Sequence, residues 1–167
     1  EYQITSSVPS EIAELEGEVH KIEAKKYTEN TILNEGKSLV KLDLKFERPE
    51  EGTVQLRLSN TKGEYIDFGY LADGNRFFVD RRNSGITDFS EVFPAQHFGD
   101  GAENINMLHF TAYLDHSSIE LFADDGQLVM TDIFFPSEEF TKLELQVNEE
   151  LNLVSGEIVE LKNIWRK

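Results

Sequence analysis

From Ser38 onward apolar and polar residues alternate along the chain with a period of two. Val40, Leu42, Leu44 and Phe46 are separated by Lys41, Asp43 and Lys45, and Val54, Leu56 and Leu58 by Gln55 and Arg57. Ile66, Phe68 and Tyr70 repeat the pattern, as do Leu108, Phe110, Ala112 and Leu114, then Leu143, Leu145 and Val147. Successive side chains of a strand point to opposite faces, so each run predicts a strand with one buried and one wet face. Turn sequences lie between the runs: Glu51-Gly52, Lys62-Gly63, Asp73-Gly74-Asn75, Asn83-Ser84-Gly85 and Asp124-Asp125-Gly126. Strands recurring every ten residues or so predict an antiparallel sandwich or jelly roll, because a parallel sheet needs intervening helices. The expected fold class is all-β.

The first quarter of the chain is less decided. Between Ser10 and Ala24, Ile12, Leu15, Val19 and Ile22 fit a helical stripe, while Glu16 to Ile22 also fits a strand. Gly17 weakens a helix by about 1 kcal/mol relative to alanine, and Val8-Pro9 favours an extended backbone. The expectation is a short lead-in followed by a strand, with residues 1–10 as a linker and the 167 residues as one domain. There is no internal repeat and no low-complexity stretch.

Composition narrows the partners. Thirty-nine per cent hydrophobic residues, with 12 Phe, are enough for a substantial core. A formal net charge of −16 disfavours nucleic acid and anionic membranes, but does not repel a neutral polysaccharide. With no cysteine there is no disulfide framework, thiolate metal site or thiol nucleophile. No run approaches the roughly 20 apolar residues of a membrane helix, and no Asn-x-Ser/Thr acceptor is present.

Three stretches carry a resemblance by their order and spacing. They are Phe77-Phe78-Val79-Asp80-Arg81-Arg82-Asn83-Ser84-Gly85, then Leu114-Asp115-His116-Ser117-Ser118-Ile119-Glu120-Leu121-Phe122, then Asp125-Gly126 followed by Thr131 and Phe135-Pro136. Together they resemble the C-terminal domain of glycoside hydrolase family 32, the family of levanases, inulinases and invertases. Arg82 departs from that pattern, which usually has Ser there. The resemblance implies an antiparallel two-sheet β-sandwich of the jelly-roll, concanavalin-like type, with no cofactor and no metal. It also implies an N-terminal catalytic propeller as partner in the same chain, a bacterial secreted, periplasmic or cell-surface location, and fructan (levan or inulin) as a ligand; it allows a dimer. The propeller's Asn-Asp-Pro, Arg-Asp-Pro and Glu-Cys motifs do not occur here. A retaining glycosidase needs two carboxylates about 5 Å apart, so the fragment is expected to be catalytically silent.

Asp80, Arg81 and Glu120 are the candidate substrate-binding residues. Carboxylates accept and a guanidinium donates in a planar fork, which suits sugar hydroxyls. The competing structural role is an ion-pair network that registers strands. Asp80 and Glu120 as an acid–nucleophile pair carry little weight among 32 acidic residues. Asp124-Asp125-Gly126 lacks the ligand spacing of a calcium loop and fits a hairpin turn with Gly126 at positive φ. His20, His97, His109 and His116 have no paired metal-ligand spacing and read as surface or strand residues. Tyr65, Tyr70, Tyr113 and Trp165 are sugar-stacking candidates by type; Trp165 fits better as an anchor of the last strand, and Phe134-Phe135 as core.

Three functions remain open. A scaffold for the propeller should show an apolar patch, whereas a fructan-binding module should show a polar concavity around Asp80, Arg81 and Glu120. An unrelated lectin-like jelly roll is the third.

Overall fold

The computed structural model describes residues 4–164; Trp165, expected to anchor the last strand, lies outside them. A 3-10 helix at Ser10–Leu15 leads into β1 (Glu16–Ile22), so the lead-in is followed by a strand as expected. Then come β2 (Lys26–Tyr27), β3 (Thr31–Glu35), β4 (Val40–Glu47), β5 (Thr53–Ser59), β6 (Tyr65–Leu71) and β7 (Arg76–Asp80). The second half comprises β8 (Gln96–Asp100), β9 (Met107–Leu114), β10 (Ser118–Ala123), β11 (Leu128–Ile133), β12 (Lys142–Gln146) and β13 (Leu151–Leu161).

These strands form two antiparallel sheets packed face to face. The first runs β1-β13-β4-β9-β10-β11, with β2 attached to β13; the second runs β3-β12-β5-β6-β7-β8. Alternation in the sequence becomes alternation in burial: β4 reads buried at Val40, Leu42, Leu44 and Phe46, and β5 at Val54, Leu56 and Leu58. A row of rings links the sheets through the core. Phe46 meets Phe110 at 6.0 Å, Phe110 meets Phe77 at 5.2 Å and Phe77 meets Tyr70 at 5.2 Å, all edge to face. Tyr70 is fully buried, and its hydroxyl donates to Asn75 Oδ1 at 3.0 Å, which removes it as an exposed sugar platform.

The hairpin between β10 and β11 turns through Asp124, Asp125 and Gly126, all at positive φ, with Gly126 at 80° as its sequence implies. Gly126 is also a close-approach site, since Ser6 N–H donates to its carbonyl at 2.9 Å and a Cβ there would lie 1.9 Å from Ser6 O. The segment before the 3-10 helix is thereby pinned to this hairpin.

Candidate functional site

The three sequence candidates face three directions. Asp80 ends β7 on the outer face of the second sheet, in register with Asp67 on one side and Gln96 on the other. Two carboxylates directly opposite would repel, and each is neutralised by its own arginine. Arg57 forks onto Asp67 with two bonds of 2.7 Å, and Arg82 donates from Nε to Asp80 Oδ1 at 2.9 Å. Burial pushes the Asp80 carboxyl up, but hydrogen bonds and charge from Arg82 outweigh it and hold the group below its ordinary value. The departure at Arg82 therefore supplies the counter-charge of Asp80.

Arg81, one residue on, turns towards the edge where β11 meets β8. Its Nε donates to Phe93 O at 2.9 Å, its Nη1 donates to Ile133 O at 3.2 Å, and the same Nη1 lies 3.3 Å from Asp132 Oδ1. The guanidinium lies 4.1 Å from the centre of the Phe93 ring. Asp132 is buried and also meets His97 Nδ1 at 2.8 Å. Burial pushes the Asp132 carboxyl above its ordinary value despite the opposing effects of His97 and Arg81.

Glu120 lies on the outer face of the first sheet, in register between Tyr113 and Thr131, whose Oγ1 donates to its Oε2 at 2.5 Å. Asp80 and Glu120 thus belong to different sheets and are not brought together as a carboxylate pair.

What Arg81 holds is an aromatic surface that the sequence reading missed. Phe89, Phe93 and Phe135 pack as a triangle with ring centres 4.6, 5.6 and 5.7 Å apart. Around them Val92 is 83% exposed, Phe89 58%, Ile86 54%, Ile133 49% and Phe135 40%. Phe134 is core as expected, but Phe135 is not: it follows β11 into a loop and turns outward. Gly85 lets the β7–β8 loop lie against this exit, since a Cβ there would sit 2.5 Å from Phe135 O. The only sequence signal was apolar residues at Ile86, Phe89, Val92 and Phe93 with no strand period.

A groove of about 230 Å³ opens at the β9–β10 corner of the first sheet, lined among others by Ile12, Leu15, Tyr113, Ser118, Glu120 and Leu161. Further along the same outer face His109 is held between two carboxylates, with Nε2 3.0 Å from Asp43 Oδ1 and Nδ1 2.6 Å from Asp125 Oδ1. Both ring nitrogens donate only in the imidazolium form. The hydrogen bond to Asp43, aided by Asp125 and opposed by burial and Lys45, raises His109 above its ordinary value. Burial pushes Asp43 up, but His109, Thr111 and Lys41 outweigh it and hold that carboxyl below its ordinary value.

The linkage has a definite sign. The His109 contribution is complete below about pH 6.5 and is lost as pH rises through its raised value; that of Asp43 is present above about pH 4 and lost on acidification. The urea midpoint should therefore fall between pH 6 and 8.5, and His109→Gln should flatten that decline. An equally steep decline in the variant would remove His109 as its source.

Among the described residues Glu18, His20 and Glu160 bring potential metal-ligand atoms within 4.8 Å of one another. Lys37 Nζ already supplies a cation there, 3.0 Å from Glu160 Oε2.

Comparison with known proteins gives the family and the fold. A family model described as "Glycosyl hydrolases family 32 C terminal" matches residues 10–164. A levanase of Bacillus sp. strain L7 is 31% identical over 130 residues, covering 75% of this chain and 14% of the levanase. An extracellular exo-inulinase of Aspergillus awamori is 28% identical over 103 residues, covering 59% of this chain and 19% of the inulinase. The crystal structure of exo-inulinase from Aspergillus awamori superposes with a TM-score of 0.80 at 22% identity, over 92% of this chain and 31% of that one. The two-sheet architecture is therefore the one this solved structure carries as about a third of a longer chain.

Proposed function

The chain belongs to the C-terminal domain family of the family 32 glycosyl hydrolases, and from that premise we propose that it is the non-catalytic β-sandwich of a longer, secreted fructan-cleaving enzyme, where it braces the catalytic propeller. The observation that carries this is the exposed aromatic cluster of Phe89, Phe93 and Phe135. Contiguous exposed apolar surface of this kind marks an interaction site, and the Arg81 hub holds it in shape, as a preformed interface requires. Ser6 is pinned to the tip of the β10–β11 hairpin and Ile133 stands at the other end of β11, so the lead-in and the cluster lie at opposite ends of the same edge strand.

Catalytic silence fits Asp80 being engaged by Arg82 and set on a different sheet from Glu120. In this reading Asp80 and Arg81 serve architecture, and Glu120 is the candidate left for sugar. Secretion is supported by the relatives described as extracellular. A formal charge of −16 sets two copies of the chain against each other, which argues against the dimer.

The test compares the long enzyme with the 167-residue chain, each carrying Phe89→Ser and Phe135→Ser. Heat inactivation of the long enzyme on levan or inulin should accelerate several-fold. The isolated sandwich should lose only the three ring contacts of the triangle, on the order of 2 kcal/mol in all, and so proportionally less than the long enzyme. Equal losses in both, or no change in the long enzyme, would sink the bracing role.

A further inference from the structure

The segment before the 3-10 helix meets the sandwich at the tip of the β10–β11 hairpin, and that tip is held by His109. Ser6 N–H donates to Gly126 O at 2.9 Å, and a Cβ at Gly126 would lie 1.9 Å from Ser6 O, so the segment fits only against the turn in its present shape. The shape is a costly one. Asp124 and Asp125 have positive φ, 49° and 56°, a region that strains a residue with a side chain and persists where neighbours enforce it. Asp124 is buried, and its carboxylate accepts from Ala102 N–H at 3.2 Å and His109 N–H at 3.4 Å. The Asp125 side chain is 77% exposed, and its carboxylate is tied to His109 Nδ1 at 2.6 Å.

His109 serves two carboxylates only while it carries both protons. Asp43 takes Nε2 and Asp125 takes Nδ1, and a neutral ring has one N–H to give. Of the two acceptors Asp43 is the better held, since it stands on β4, also accepts from Thr111 Oγ1 at 3.2 Å and has the charge of Lys41 nearby. Asp125 is therefore the one released when the ring becomes neutral. The charges facing the ring are Asp43 and Lys45 from β4, with Lys45 directly opposite, and Asp124 and Asp125 from the hairpin. On the strand beyond β4, Glu157 lies opposite Asp43 and pairs with Lys21, while Phe122, opposite Thr111 on β10, is uncharged. The hydrogen bond to Asp43, then that to Asp125 and the charge of Asp43, keep the ring protonated above its ordinary value against burial and Lys45. The imidazolium arrangement is thus complete on the acid side and is lost as pH rises through that raised value.

We propose that His109 is a pH-operated latch on the segment before the 3-10 helix: its imidazolium holds the hairpin tip, the tip holds Ser6, and loss of the ring proton releases both. In a longer enzyme this segment leads from the preceding domain, so the latch would set how tightly that domain is coupled to the sandwich. This last step rests on the chain being the C-terminal sandwich of such an enzyme; the latch itself does not.

The experiment follows the His109 ring, the Ser6 amide and, as a core control, the Phe110 amide by nuclear magnetic resonance of the 167-residue chain between about pH 6 and 8.5. Exchange with water is divided by the intrinsic rate at each pH. Protection of Ser6 is expected to fall about tenfold with the midpoint of the His109 ring, while Phe110 stays protected. His109→Gln should leave Ser6 weakly protected at every pH. Asp125→Asn should lower the ring midpoint, and the Ser6 midpoint should move with it. Protection of Ser6 that is flat with pH, that has a midpoint apart from the ring's, or that still titrates in His109→Gln would overturn the latch. In the long enzyme, calorimetry should show the unfolding transitions of the two domains drawing further apart as pH rises, but not in His109→Gln. An unchanged separation would overturn the interdomain step while the isolated chain still reports the latch. The bracing surface is tested at one fixed pH, so its failure is distinguishable from either.

Discussion

Arg81→Ala should destabilise the isolated sandwich by about 3–5 kcal/mol, the cost of breaking a buried ion pair from one side. The loss has two parts. Asp132, 2% exposed in its side chain, would be left with His97 as its remaining partner among the described residues. The Phe93 and Ile133 carbonyls would lose their guanidinium donor, and the Phe93 ring the cation stacked on it. In a chain of this size each kcal/mol moves Tm by about 2–4 °C, so thermal unfolding reads the effect easily.

A pH series identifies the cause. Burial already pushes Asp132 above its ordinary value, and removing Arg81 takes away one opposing charge and raises it further. A carboxyl raised in the folded state is penalised while ionised and relieved as it takes up a proton, so the deficit of the variant should shrink as pH falls from 7 towards about 4. A deficit independent of pH would mean that packing against Phe93, not the orphaned carboxylate, dominates. Arg81→Lys should recover part of the loss, because lysine restores the charge but not the planar fork.

Phe110→Ala is the second large effect, again about 3–5 kcal/mol, from lost transfer free energy and the cavity left behind. Phe110 is fully buried on β9 and touches Phe46 of its own sheet and Phe77 of the other, so its ring is the hinge of the inter-sheet row. Phe110→Leu should cost far less, since most of the volume remains. Denaturant unfolding of both variants provides the check; similar costs would mean that the ring contacts rather than the cavity set the stability.

The fold was legible because its core positions follow a strict period. Val40 to Phe46, Val54 to Leu58 and Leu108 to Leu114 alternate in sequence and alternate in burial in the same phase. The 3-10 helix at Ser10–Leu15 was less legible, as Ile12 and Leu15 fit a helical stripe and an irregular lead-in equally well.

Position in the sequence said much less about which way the candidate residues point. Asp80 and Arg81 are adjacent, yet Asp80 pairs on the outer face of the second sheet while Arg81, just past the end of β7, reaches towards β11. Phe134 and Phe135 divide in the same way between core and surface. The aromatic cluster escaped notice because it is assembled by a loop, and loop residues carry no period to reveal their facing. Glu120 was singled out for its resemblance to a known strand pattern; the groove beside it needed the 3-10 helix and the end of β13, more than a hundred residues apart in sequence, to be placed together.

The pairing of β1 with β13 joins the first and last strands of the sandwich. It also fixes an order of events during synthesis. Among the described residues β1 and β2 pair with β13 alone, and β4 has β13 as one of its two neighbours. Until β13 has left the ribosome, the opening strands have no partner and one edge of β4 stays bare, open to pairing with another nascent chain. The sandwich therefore closes only after its last strand is made, which favours slow folding through contacts distant in sequence and makes loss of that strand costly at the opposite end of the chain.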